Sequence, residues 1–119
     1  MASIIDRTLA KSLIQEYKTQ NSSAGGPGLK TPDGQHLHGF FISRESLESM
    51  LKDPKVTGVS VNFAKHPKFK GSNDKVVTLV LAGAEPAPAG SAHPLVSNGE
   101  VYGDPPPCPT MCNGSLGGG

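Results

Sequence analysis

The side chains best suited to chemistry in this chain are two cysteines and two histidines. Cys108 and Cys112 are its only cysteines, spaced C-x-x-x-C in Asp104-Pro-Pro-Pro-Cys-Pro-Thr-Met-Cys112. Proline cannot continue a helix or donate to a sheet ladder, so the pair sits in a stiffened, irregular arm. Thiolates two to four residues apart can share one tetrahedral metal. Cys108 and Cys112 could therefore supply half of a zinc site. His36 and His38 form an H-x-H pair whose side chains would share one side of a strand, and they are the candidates for the other half. Alternatively, Cys108 and Cys112 close a disulfide, or link subunits, which a cytosolic setting opposes. The blander expectation is two reduced thiols in an arm that docks on the domain or on a neighbour, because free Cys packs as a small hydrophobe.

Other chemistries have less to work with. Thioredoxin-like redox catalysis wants C-x-x-C at a helix N-terminus. This pair has one residue too many, and no helix is expected after it. Lys65, His66, Lys68 and Lys70 form a short basic run, which reads as a solvated hairpin loop. The sequence holds no nucleophile elbow, phosphate loop or His-Glu-x-x-His motif, and nothing pairs a base with a nucleophile. No catalytic or cofactor-binding residue is assigned, and a non-enzymatic protein is expected. Zinc is the one cofactor the residues would admit. The terminal Leu116-Gly-Gly-Gly119 is read as a tail, with modification of that tail as a third functional reading.

Bulk composition narrows the partners. Eleven basic and ten acidic residues leave a net charge of +1, which gives no electrostatic case for nucleic acid or an anionic membrane. No apolar run approaches the roughly 20 residues a membrane helix requires. The start, Met1-Ala-Ser-Ile-Ile-Asp6, lacks a basic region followed by a long apolar one, so a cytoplasmic protein is expected. Glycine (15) and proline (11) are abundant and hydrophobic residues reach only 35%, so the core should be small and flanked by irregular arms.

The elements that must position these side chains follow from periodicity. Leu9, Ala10, Leu13, Ile14 and Tyr17 make one apolar stripe of a helix over 6–20, capped by Asp6. Residues 21–35 read as a flexible linker with a turn at Pro32-Asp-Gly34. A strand over Leu37–Ile42 leads to a helix over Arg44–Lys52, capped by Ser43, buried through Leu47, Met50 and Leu51, and stopped by Asp53-Pro54. Strands follow over Val56–Ala64 and Lys75–Ala84. The β–α–β segment suits a right-handed parallel crossover. The expected fold is α+β: a small mixed sheet of about three strands packed by two helices, in the order α-β-α-β-β. Residues 1–84 form the domain, and 85–119 form a Pro/Gly-rich arm.

The second long strand is apolar on both faces, Val77, Leu79 and Leu81 on one and Val76, Thr78 and Val80 on the other. Such a strand is normally covered on both sides. Two short helices cover one face, so the arms or a second subunit must cover the other. These six residues are the expected assembly surface of a homo-oligomer.

Gly39-Phe-Phe-Ile-Ser-Arg-Glu-Ser-Leu-Glu-Ser-Met-Leu51, Val56-Thr-Gly-Val-Ser-Val61, Val77-Thr-Leu-Val-Leu-Ala-Gly83 and the terminal Cys-Pro-x-x-Cys together resemble a family of small uncharacterised bacterial proteins of Bacteroidetes type, which end in Cys-Pro-Pro-x-Cys. The resemblance spans about residues 4–112 in element order. It departs at Thr110-Met111 and in the longer 21–35 segment. It implies a fold and carries no activity. The leading expectation is a self-assembling structural or scaffold protein. The alternatives are a metal- or redox-responsive protein using the cysteines, and a precursor whose tail is modified.

Overall fold

The computed structural model describes residues 2–97 and 99–108. It is an α+β fold of two helices and antiparallel sheets. Helix α1 spans Arg7–Ser22, and the Asp6 carboxylate accepts from the Leu9 N–H at 3.1 Å, satisfying a donor that the helix leaves unpaired. Helix α2 spans Arg44–Met50, with the Ser43 hydroxyl accepting from the Ser46 N–H at 3.1 Å and Glu45 in the first turn. Its buried side is carried by Met50, whereas Leu51 is exposed.

The principal sheet is built on a hairpin. Strand β2 (Gly58–Lys65) pairs antiparallel with β3 (Val77–Pro86) in a register running from Gly58↔Ala84 to Lys65↔Val77. The other edge of β3 is occupied by β4 (Leu95–Val96) and β5 (Val101–Gly103), both antiparallel. A second, two-stranded sheet joins β1 (Gly39–Phe40) to β6 (Pro107–Cys108). The parallel crossover expected between β1 and β2 does not form. The backbone of β1 is taken by the C-terminal arm instead, so the named strands pair antiparallel and the sheet is not mixed.

Two further expectations change. The boundary at 84/85 falls inside β3, and the arm contributes β4, β5 and β6 to the fold. Residues 21–35 do not hang loose. Asn21 and Thr31 are the most deeply buried large side chains described. The Asn21 carboxamide accepts from the Leu29 N–H at 2.6 Å and donates to the Leu29 carbonyl at 3.0 Å and the Leu37 carbonyl at 3.4 Å. Thr31 accepts from the Gln35 N–H at 3.0 Å and donates to the Asp33 carboxylate. Both bonds to Asp33, from Thr31 and Gln35, hold its carboxyl below the usual range. At Gly26 a side chain would lie 1.9 Å from the Gln20 carbonyl oxygen, so only glycine lets the chain double back over the end of α1.

The core lies where α2 and the 29–37 segment meet β3, through Leu37, Met50, Val76, Leu79 and Leu81. Gly83 marks the closest approach: a Cβ there would stand 3.1 Å from the Met50 carbonyl oxygen and 3.2 Å from the Val56 side chain.

Candidate functional site

Of the two histidines only His38, just before β1, meets the arm; His36 is bridged to Lys30. The His38 N–H donates to the Cys108 carbonyl at 3.1 Å, and the Phe41 N–H donates to the Pro106 carbonyl at 2.9 Å. Cys108 is 4% exposed and is disulfide-bonded. Cys112 lies outside the described residues. A sulfur held in a disulfide offers no thiolate to zinc, and among the described residues no three His, Cys, Asp or Glu side chains are grouped to hold a metal. The histidines also face other work. His36 Nε2 stands 3.4 Å from Lys30 Nζ. His38 Nδ1 is buried without a hydrogen-bond partner among the described residues. Desolvation, then the nearby charges of Lys18 and His36, push the His38 pKa down. The arrangement therefore joins Cys108 to His38 through the backbone, as a docking seam.

A second cluster was not legible in the sequence. His66 heads the one-turn 3₁₀ helix Pro67–Phe69 and is 6% exposed, so the basic run is not wholly solvated. Its Nδ1 accepts from the Lys68 N–H at 3.1 Å, which assigns the proton of the neutral ring to Nε2, and Nε2 faces Asp104 Oδ1 at 3.4 Å. The Thr78 hydroxyl donates to the same carboxylate oxygen at 3.3 Å. Hydroxyl, carboxylate and imidazole thus meet, but in an order unlike a nucleophile–base–acid relay. Thr78 points to Asp104, not to His66, and both ring nitrogens are occupied. Asp104 adopts φ 53°, a left-handed conformation that Asp tolerates better than most residues. The cluster is a latch tying the end of β5 to the hairpin loop.

The third feature is an apolar groove of about 530 Å³, roofed by α1 and floored by the sheet. Leu13, Ile14 and Tyr17 face Leu37, Phe40, Val61, Phe63 and Leu79 across it. The Tyr17 hydroxyl donates to the Leu37 carbonyl at 2.8 Å and anchors the C-terminal half of the helix, and burial raises its pKa. The N-terminal half overhangs. Leu9 and Leu13 are 49% and 50% exposed, Val61 is 52% exposed, and Phe63 is 83% exposed.

The six residues expected to form an assembly surface are placed differently. Val76, Thr78, Leu79 and Leu81 are buried within the single chain, and Val77 and Val80 are half-buried. β2 and the arm strands occupy both edges of β3, and the chain from Met50 to Val56 packs closely on it at Gly83, so the single chain encloses much of its most apolar segment. The open apolar surface lies one strand away, on β2 and α1. Val59, Val61 and Phe63 alternate with the polar Ser60 and Asn62 along β2, which marks its apolar face in the sequence. Nothing in the sequence signalled that α1 would leave that face uncovered.

Comparison of the chain with protein-family models, with curated proteins and with solved structures returned no match.

Proposed function

We propose that this α+β protein is a non-enzymatic structural or scaffold protein that acts by self-association. One observation carries the reading: Phe63, 83% exposed, lines one apolar groove with the half-exposed Val61 and Leu13. Contiguous apolar surface rimmed by polar residues marks an interaction site in monomeric units, and small domains commonly complete their burial by oligomerising. No described helix is long and apolar enough to cross a membrane, so a membrane-spanning helix is no rival for that surface. Light scattering during size exclusion tests the reading. A mass at least twice the 12.3 kDa of the chain is expected at about 100 μM, the upper range in which weak dimers populate. A 12.3 kDa particle at every concentration would sink it.

A narrower second reading rests on Cys108. Its disulfide and its bond to His38 favour an arm whose docking responds to redox state. A disulfide suits an oxidising compartment better than the expected cytoplasm. Hydrogen exchange at the Phe41 and His38 amides, before and after reduction, checks this: unchanged protection would end it.

A further inference from the structure

The assembly reading leaves open which surface pairs with which, and the sheet itself supplies an answer. The Leu79 carbonyl accepts from the Asp104 N–H at 3.2 Å, so Leu79 directs its backbone groups toward β5. Backbone direction alternates along an antiparallel ladder. Thr78, Val80, Ala82 and Ala84 therefore face β2, and the Thr57 N–H meets the Ala84 carbonyl at 2.8 Å accordingly. Their partners Gly58, Ser60, Asn62 and Ala64 are thus satisfied inside the hairpin. Val59, Val61, Phe63 and Lys65 direct theirs outward. Among the described residues nothing pairs with that edge.

We propose, resting on the self-association reading, that two copies join through β2, antiparallel, with the two-fold axis at Asn62. Residues 58–64 carry no charge, whereas an exposed edge is ordinarily protected by charge, proline or a bulge. The occupant that fits a neutral edge of this length is the same edge inverted. Register follows from the outward residues. Centring on Asn62 pairs Val59 with Lys65 and Val61 with Phe63 of the second copy, so all four outward residues find partners. Centring on Val61 instead sets Lys65 against Thr57, whose N–H is already used on Ala84. The Asn62 axis also keeps the two Lys65 side chains about 20 Å apart, beyond the roughly 8 Å screening length at physiological salt. Directly opposed residues point to the same side. Phe63 would therefore lie on Val61 of its neighbour, and the two apolar grooves would face the same way.

Isotope-filtered NMR on a mixture of labelled and unlabelled full-length protein tests the pairing without any variant. An intermolecular Hα–Hα cross-peak between Ser60 and Ala64 is expected, since these form a close, non-hydrogen-bonded pair. Val61→Pro adds a second measure. It removes an outward N–H and no bond of the hairpin, so the monomer should still fold while dimerisation weakens about 30-fold, the value of two lost hydrogen bonds. Intermolecular contacts confined to α1 or to residues 109–119, or Val61→Pro that associates as tightly as the parent, would overturn edge pairing while leaving self-association intact. A monomer throughout would overturn both.

Discussion

The two edges of the main sheet are finished in opposite ways. Along β3 the arm lays down β4 and β5, each three residues or shorter, and prolines recur from the end of β3 into β6, at 86, 88, 94 and 105–107. The Asp104–His66 latch then fastens the end of β5 to the hairpin loop. Along β2 there are eight residues of unbroken strand, no proline, and a single charge at Lys65. Proline, short strands and covering segments are the usual means of keeping a sheet edge from pairing. Among the described residues these devices appear on one side only. The described part of the glycine- and proline-rich arm closes the β3 edge, and no described strand pairs with the outer edge of β2.

The largest effect should separate two residues that face each other across β2 and β3. Phe63 and Leu79 are cross-strand partners on one face, yet Leu79 is 7% exposed and Phe63 is 83% exposed. Leu79→Ala empties a site in the core and should cost about 2–5 kcal/mol by urea unfolding. Phe63→Ala in dilute, monomeric protein should stay within about 0.5 kcal/mol, because an exposed ring loses little burial. The same Phe63 variant should weaken association measured by sedimentation. Equal destabilisation by both variants would mean that the open face is not open in solution.

The closed edge is broken at Asp104. Asp104→Ala leaves His66 Nε2 buried without its acceptor, strips Thr78 of its partner and keeps a β-carbon at positive φ. Leaving a buried donor unsatisfied costs about 1–3 kcal/mol, and Asp104→Asn, which retains an acceptor and tolerates that conformation, should recover most of the loss. Chemical denaturation of the pair checks this. A comparable cost is expected for Asn21→Ala, about 1–3 kcal/mol, because one carboxamide serves the Leu29 and Leu37 backbone. Loss of hydrogen-exchange protection at Leu29 would accompany it.

What could be read in advance was local. Asp6 and Ser43 announced their helices because a cap bonds to an amide three residues away. The hairpin strands announced themselves by composition. The failures are all non-local. Gly39–Phe40 pairs with Pro107–Cys108, and no propensity joins an aromatic strand to a proline arm. A helix between two strands suggested a parallel crossover, but β1 was already engaged, so β2 paired with the strand next to it in sequence. Asn21 read as the start of a linker because its three hydrogen bonds reach residues 8 and 16 positions away. The doubly apolar strand was correctly seen to need cover on both sides. Its cover comes from within the chain, and the exposed apolar face belongs to the strand beside it. Of the proposed ligands, His38 and Cys108 do meet, through main-chain atoms that a motif does not describe.

The smallest expected effect lies at that meeting. His38 titrates below its ordinary value of 6.5, first because burial disfavours the charged ring, then because Lys18 and His36 stand near it. The unfolded chain therefore binds a proton at a pH where the folded chain does not. Stability tied to His38 is fully present above pH 6.5 and declines as pH falls toward the lower folded value. Charging the ring would also make it a cation whose buried Nδ1–H has no hydrogen-bond partner among the described residues. The urea midpoint should accordingly fall between pH 7.5 and pH 5, and His38→Phe should flatten part of that decline while leaving the slope due to other groups. The β2 edge, whose pairing residues include no titrating carboxylate or imidazole, should show no matching dependence in its hydrogen-exchange rates after correction for intrinsic exchange. If both edges loosen together on acidification, the docked arm and the open strand form a single cooperative unit. If only the seam loosens, the arm is a separable clasp on an independently stable hairpin.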